Sequence, residues 1–259
     1  MNVAPPYPAG RSLLAGKTVL VTAAAGTGIG ASTARRCAEE GARVAIADIH
    51  ARRLGEAADA LEAATGARPP TFLCDVTDEA QVQAMIDGAV EAFGHLDVLV
   101  NNAGLGGAAR LVEMTDAQWH KVMDVTLTGT MRCTRAALRH MQPRGSGAIV
   151  NNASVLGWRA QAMQGHYAAA KAGVMALTRC AAIEAAEFGV RVNAVSPSLA
   201  MHPFLSKVTP PGLLEELTAR EAFGRAAEPF EIANVIVFLA SDLASYMTGE
   251  VVAVSSQHP

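Results

Sequence analysis

Seven short apolar runs alternate along this chain with long alanine-rich stretches of helical period, and that order leaves few architectures open. The runs are KTVLVTA (17–23), RVAIADI (43–49), TFLCDV (71–76), LDVLVNNAG (96–104), GAIVNNAS (147–154), VRVNAVSP (190–197) and EVVAVS (250–255). Runs without strict polar alternation need cover on both faces, which a parallel sheet with crossover helices provides. Helices are expected over Gly28 to Glu40, with Gly41 as cap, through the fifties to Ala64, and from Thr77 to Phe93-Gly94. Further helices are expected from Asp116 through Leu138 with a bend near Gly129, from His166 to Glu187, and over 229–240. The fold class is therefore α/β, a doubly wound, seven-stranded parallel sheet with helices on both faces. One domain is expected over 14–259, behind an extended arm at 1–13 that carries Pro5, Pro6 and Pro8. The stretch 199–225, with Pro203, Pro210 and Pro211, shows no strand pattern.

Composition narrows the possible roles. A chain of 259 residues that is 51% hydrophobic and 17% charged builds one sizeable core and is not disordered. A net charge of −3 gives no reason to expect nucleic acid or an anionic lipid surface as partner. No run is long enough to span a membrane, and MNVAPPYPAG lacks the form of a signal peptide, so a cytoplasmic protein is expected. Cys37, Cys74, Cys133 and Cys180 are far apart and read as buried free thiols, with no metal site.

The exit of the first run, Thr22 to Gly30, is the first candidate site. Glycine lets the backbone turn tightly and approach a pyrophosphate, whose charge the next helix N-terminus stabilises. The candidate cofactor contacts are Thr22, Ala24, Gly26, Thr27, Gly28, Ile29 and Gly30; a purely structural turn is the competing reading. Asp48, 18 residues after Gly30, ends the second run beside Ile49. A carboxylate there accepts ribose hydroxyls and repels a 2′-phosphate, which favours NAD, although Arg52 and Arg53 stand close by. Asp75, followed by Val76, reads either as an adenine contact or as the cap of the helix near Thr77. Asn102, Ala103 and Gly104 leave room for a ribose, or form an ordinary turn.

Ser154 ends the fifth run, on the edge where doubly wound sheets bind ligands, and Tyr167-Ala-Ala-Ala-Lys171 follows in helical sequence. The i,i+4 spacing puts phenol and ammonium on one face, where the ammonium lowers the tyrosine pKa and the serine holds a substrate oxygen. His166 adjoins Tyr167 but points elsewhere and is not read as catalytic.

From Leu14 to Ser255 these motifs resemble the classical short-chain dehydrogenase/reductase family: the glycine turn, Asp75, NNAG at 101–104, Ser154, YxxxK at 167–171 and the SP pair at 196–197. The resemblance implies a seven-stranded Rossmann fold, commonly a tetramer, that transfers hydride between NAD(P) and an alcohol/carbonyl pair. Tyr167 would be the acid/base, Lys171 would contact the nicotinamide ribose, and Ser154 would orient the substrate. Pro197 and Leu199 would line the cofactor, and 198–225 would cover the substrate. Three departures stand out. TAAAGTGIG replaces the usual TGxxxGxG, with Ala23 at its first glycine. Thr126 stands where the family has a helix asparagine, leaving its hydroxyl as a candidate relay. Pro197-Ser198 replaces PG, and Ala200-Met201 lacks the family's nicotinamide-contacting threonine.

VTAAAGTGIG, NNAGLGG, IVNNASVLGWRAQ, GHYAAAKAGVMALTRC, EAFGRAAEP and TGEVVAVSSQHP further resemble an actinobacterial branch of the family that serves steroid (cholesterol) C/D-ring catabolism. That branch implies oxidation of a ring alcohol on a hydroxy-methyl-oxo-hydrindane propanoate or its CoA thioester. A broad apolar substrate would meet Leu105, Val155, Leu156, Trp158, Met163, Met201, Phe204 and Leu205, with Arg159, Lys207 and Arg225 toward an acyl phosphate. The alternatives are a 3-oxoacyl-thioester reductase, a broad NAD(P)-linked alcohol dehydrogenase, or a non-enzymatic NAD(H) sensor.

Overall fold

The alternation becomes seven parallel strands and eight α-helices among residues 3–201 and 212–256, which the structure, a computed structural model, describes. In chain order these are β1 (Thr18–Thr22), α1 (Ile29–Glu39), β2 (Arg43–Asp48), α2 (Ala51–Thr65), β3 (Thr71–Leu73), α3 (Glu79–Phe93) and β4 (Val98–Asn101). The second half adds α4 (Asp116–Met123), α5 (Gly129–Met141), β5 (Gly147–Asn152), α6 (Gly165–Ala186), β6 (Val190–Pro197), α7 (Leu213–Ala219), α8 (Pro229–Ala240) and β7 (Val251–Val254). The sheet order is β3-β2-β1-β4-β5-β6-β7, so the winding direction reverses between β1 and β4. A ligand crevice belongs at the carboxyl edge of that switch point.

Strand side chains alternate between two cores. Val19 and Val21 pack with Ile232, Ile236 and Leu239 of α8 on one face. Leu20 packs with Met85, Ile86, Met141 and Ile149 on the other. Each fully buried leucine or isoleucine contributes about 1.5–3 kcal/mol, so the two faces together hold the sheet. Local chemistry sets the helix ends. Asp78 accepts the Ala80 and Gln81 N–H groups at 2.9 and 3.1 Å and caps α3, while Thr115 and Gln118 form a reciprocal capping box on α4. Gly66 and Gly94 close α2 and α3 in left-handed conformations.

Four details differ from the sequence reading. β3 ends at Leu73, so Cys74, Asp75 and Val76 form a turn rather than strand. The bend expected near Gly129 is a π-helical turn at Asp124–Thr128, just before it. A short helix, α7, lies within the stretch read as irregular. Cys180 is exposed on α6, whereas Cys37, Cys74 and Cys133 are buried as expected.

The proline-rich arm is fastened to α1. The Tyr7 hydroxyl donates to Glu39 at 2.7 Å, and its ring lies 5.1 Å from Phe230 and 5.0 and 5.4 Å from the Arg35 and Arg36 guanidiniums. The Arg11 and Leu13 N–H groups donate to Glu40, whose carboxylate pairs with buried Arg36 at 2.5 Å. Among the described residues no helix is long and apolar enough to cross a membrane.

Candidate active site

A cleft of about 1430 Å³ opens at the switch point. It brings together Thr22, Asp48, Ile49, Asp75, Val76, Ala103, Gly104 and Leu105 of the predicted residues, with Arg52, Arg53, His120 and Lys121 also along its walls. The turn after β1 forms one wall. Ala23 adopts φ +49°, a left-handed conformation that costs an alanine about 1–2 kcal/mol, and Gly26 follows at φ +119°. Gly28 is the N-cap of α1 and Ile29 its first residue, so the helix N-terminus faces the turn. Gly26 and Thr27 are exposed there, while Ala24 lies beneath the turn in the core.

Gly30 is required by close approach. A Cβ there would lie 2.3 Å from the Ala23 carbonyl oxygen and 2.4 Å from Asn102 Nδ2. Those two atoms are hydrogen bonded to each other at 3.0 Å. Thr22 continues the seam, its hydroxyl accepting the Asn102 and Ala103 N–H groups at 3.0 and 3.1 Å.

Asp48 is 7% exposed and built into the same wall. Its Oδ2 accepts from Ala25 N at 3.1 Å and its Oδ1 from His50 N at 3.0 Å. Burial pushes its pKa up, opposed by the Ala25 N–H and by the Arg53 charge. Asp75 accepts from Thr77 N and Oγ1 at 2.9 and 2.7 Å within the turn; the cap of α3 is Asp78 instead.

The asparagine pairs of β4 and β5 share one register. Asn101 faces Asn151, and its Nδ2 donates to Asn151 Oδ1 at 2.9 Å and to Thr134 at 3.0 Å. Asn151 in turn donates to Thr178 of α6 at 2.9 Å. One residue on, Asn152 Nδ2 donates to Asn102 Oδ1 at 2.9 Å. The first pair locks the sheet to its helices, and the second joins the two strand ends at the cleft.

Beyond Gly104 stand Ser154, Tyr167 and Lys171. Lys171 is buried, its Nζ donating to the Asn152 carbonyl at 2.5 Å and lying 5.6 Å from the Tyr167 ring centroid. Burial lowers its pKa to about 8. Gly104 leaves this space open, since a Cβ there would sit 3.4 Å from Nζ. Ser154 accepts from Leu156 N at 3.2 Å, and its hydroxyl acts on the Tyr167 phenol to favour the phenolate. Contrary to the expected depression by lysine, the Tyr167 pKa is raised, because burial outweighs the Ser154 hydrogen bond. Thr126 is fully buried in the π-helical turn, accepting from Leu105 N at 3.0 Å and donating to Leu105 O at 3.1 Å. Its hydroxyl is thus engaged in both directions with Leu105, the residue that follows NNAG, and holds that loop in place.

The remaining candidates divide. Pro197 ends β6, and Leu199 N donates to buried Glu221 at 3.4 Å. Val155 belongs largely to the interior at 5% exposure, Leu156 and Met201 are partly buried, and Trp158 and Met163 are open to solvent. Phe204, Leu205 and Lys207 lie outside the described residues. Arg225, named toward the acyl side, forms a two-pronged pair with Glu231 at 2.6 and 2.8 Å. His166 is buried, its Nδ1 accepting from Tyr167 N at 2.9 Å, and so steadies the start of α6. Asn152, Asp78 and Glu221 escaped the sequence reading, although the doubled asparagine of NNAS was a visible signal for the first.

A sequence model described as enoyl-(acyl carrier protein) reductase matches residues 23–256. The chain belongs to the classical short-chain dehydrogenase/reductase family and is an oxidoreductase of that family, whose members use NAD(P). It is 62% identical over 261 residues to the (5R,7aS)-5-hydroxy-7a-methyl-1-oxo-2,3,5,6,7,7a-hexahydro-1H-indene-carboxyl-CoA reductase of Mycobacterium tuberculosis (strain ATCC 25618 / H37Rv), covering 100% of this chain and 99% of that one. It is 47% identical to the cis-4-hydroxycyclohexanecarboxylate dehydrogenase of Sinomonas cyclohexanicum, over 91% of this chain and 94% of the relative. The crystal structure of a short-chain dehydrogenase from Mycobacterium smegmatis superposes with a TM-score of 0.88 at 59% identity, covering 99% of each chain. The residues present fit a nicotinamide dinucleotide: a close-approach glycine, a fixed carboxylate at the end of β2, and a buried Asn152 Oδ1 with no partner.

Proposed function

We propose that this enzyme is an NAD-preferring alcohol dehydrogenase/ketoreductase acting on a secondary ring alcohol of a hydroxylated, methyl- and oxo-substituted hydrindane carried as a CoA thioester, in steroid C/D-ring degradation. The observation that carries the chemistry is the buried Lys171, held by the Asn152 carbonyl over the Tyr167 ring, with the Ser154 hydroxyl acting on the phenol. The substrate class rests on the two relatives, both named for hydroxylated cyclic carboxylates or their thioesters. The compound named for the mycobacterial relative carries its carboxyl-CoA group on the indene nucleus, a shorter arm than the propanoate expected from sequence.

A bound nicotinamide would take hydride from the carbinol carbon or return it to the ketone. Gly30, the α1 N-terminus and Asp48 would hold the dinucleotide, with Asp48 accepting ribose hydroxyls and disfavouring a 2′-phosphate. In the oxidative direction Ser154 holds the alcohol oxygen while the Tyr167 phenolate removes its proton. Lys171, in its ammonium form, stabilises that phenolate; the Asn152 carbonyl keeps it in place. Thr126 holds Leu105, and through it Gly104, against Lys171. Leu156, Trp158, Met163 and Met201 are the apolar contacts available to the ring system.

The subunit surface supports an oligomer, a tetramer by family resemblance. α6 is apolar on nearly all sides, and its Ile183 is 74% exposed. A cytoplasmic location accords with this substrate chemistry. The test is a panel assayed with both NAD and NADP: a hydroxy-hydrindane carboxyl-CoA, its free acid, and a linear 3-hydroxyacyl thioester. Fast NADH formation with the ring thioester supports the reading. Turnover of the linear compound alone leaves an acyl-thioester reductase in its place.

A further inference from the structure

We infer that Asn152 is a positioning residue that couples the cofactor-binding turn to Lys171, and that its Oδ1 accepts a hydrogen bond from a hydroxyl of the bound nicotinamide cofactor. Three separate contacts meet in this one residue. Its carbonyl oxygen holds Lys171 Nζ at 2.5 Å. Its Nδ2 donates to Asn102 Oδ1 at 2.9 Å, and Asn102 Nδ2 donates onward to the Ala23 carbonyl at 3.0 Å. A continuous line of amides therefore runs from the left-handed Ala23 in the turn, across the ends of β4 and β5, to the catalytic ammonium. Gly30 sits against the first link of that line, so the start of α1 is held by it as well.

The third contact is missing. Asn152 Oδ1 is buried and has no hydrogen-bond partner. A buried amide oxygen left unpaired is unfavourable by about 1–3 kcal/mol, a cost that persists in a native chain when a ligand or water supplies the donor. This amide lies next to the cofactor cleft: its partner Asn102 directly precedes Ala103 and Gly104, which line the cleft, and Gly104 stands beside Lys171 Nζ, which the Asn152 carbonyl holds. The donors that a dinucleotide brings to such a place are ribose hydroxyls. A neutral hydroxyl suits an amide oxygen, which would gain nothing from the cofactor's phosphates. Leu or Val at this position would break the line at both Asn102 and the ligand.

This inference rests on the reading of Lys171 as the support of Tyr167, and its test separates the two. NADH affinity is measured by fluorescence titration, without substrate, for the unmutated protein, Asn152→Ala and Asn152→Asp, alongside thermal unfolding without cofactor. Asn152→Ala should weaken NADH binding about three- to tenfold, the loss of one neutral hydrogen bond. Asn152→Asp keeps an acceptor for the cofactor hydroxyl but loses the donor to Asn102, so it should bind NADH more tightly than Asn152→Ala and more weakly than the unmutated protein. It also places a carboxylate on the residue that holds Nζ, so the pH at which ketone reduction falls should move upward, which simple loosening of the fold would not cause. Asn152→Asp likewise carries the test should the alanine variant fail to fold. Equal NADH affinity in Asn152→Ala, with only the unfolding temperature lowered, assigns the donor to a water and overturns the cofactor contact. An unmoved pH profile in Asn152→Asp overturns the coupling to Lys171. Failure of every ring alcohol in the substrate panel would leave the NADH titrations standing, so the two readings fail independently.

Discussion

Replacing Asp48 with serine should change which dinucleotide the enzyme accepts, and the structure fixes how large the change should be. The carboxylate is held by Ala25 N and His50 N, so it cannot swing away from an incoming 2′-phosphate. Two unit charges about 5 Å apart at an effective dielectric near 20 repel by about 3 kcal/mol. The open cleft and physiological salt reduce that to about 1–2 kcal/mol, or roughly a five- to thirtyfold change in the NADP/NAD ratio of dissociation constants. The same substitution strips the acceptor from two backbone N–H groups and loosens the glycine turn, which weakens both cofactors alike. The ratio cancels that shared loss and isolates the charge. Titrating Asp48→Ser and the unmutated protein with NADH and NADPH at pH 8, on the alkaline side that favours the carboxylate against the upward push of burial, gives the numbers directly. A ratio that stays constant while both affinities fall would refute the electrostatic argument and leave Asp48 as a brace for the turn.

Gly30→Ala should weaken NADH binding at least tenfold, because its Cβ would fall 2.3 Å from the Ala23 oxygen and part the Asn102–Ala23 bond; unaltered affinity by calorimetry would contradict the close-approach argument. Burial brings the Lys171 pKa down to about 8, and Tyr167 and Lys171 stand close enough to titrate as one pair, so the pair loses its first proton near pH 8. Alcohol oxidation, which needs the pair one proton short, should therefore rise through about pH 8, and ketone reduction should fall through the same range; Lys171→Met should abolish that inflection. Sedimentation at micromolar concentration should show an oligomer that Ile183→Asp dissociates, and a monomeric unmutated protein would contradict the proposed assembly.

The sheet was legible because its grammar is redundant. The central strands are apolar runs that need cover on both faces, and the first helices carry stop signals at Gly41 and Gly94. The YxxxK spacing likewise gave the Tyr167–Lys171 pair directly, since four residues make one helical turn. What escaped was set by contacts between distant segments. No local pattern says that Thr126 closes on Leu105, that Arg225 is committed to Glu231, or that Lys171 rests on the carbonyl of Asn152. The direction of the Tyr167 shift was missed for a related reason: proximity in the helix suggested a charge effect, but burial, which depends on the whole fold, dominates. The cap of α3 went to Asp78 rather than Asp75 because β3 stops three residues early, and strand ends are the least well encoded part of such a pattern.

Proton transfer in the proposed reaction turns on the Tyr167 oxygen. Single-turnover hydride transfer should be followed with a hydroxy-hydrindane carboxyl-CoA and NAD, comparing the unmutated protein with Tyr167→Phe, after NADH titration of each. Removing only the proton-accepting oxygen should cut the transfer rate by about 10²–10⁴-fold or more while NADH affinity stays within a few-fold. Transfer at the unaltered rate in Tyr167→Phe would contradict the account, whatever the substrate panel shows.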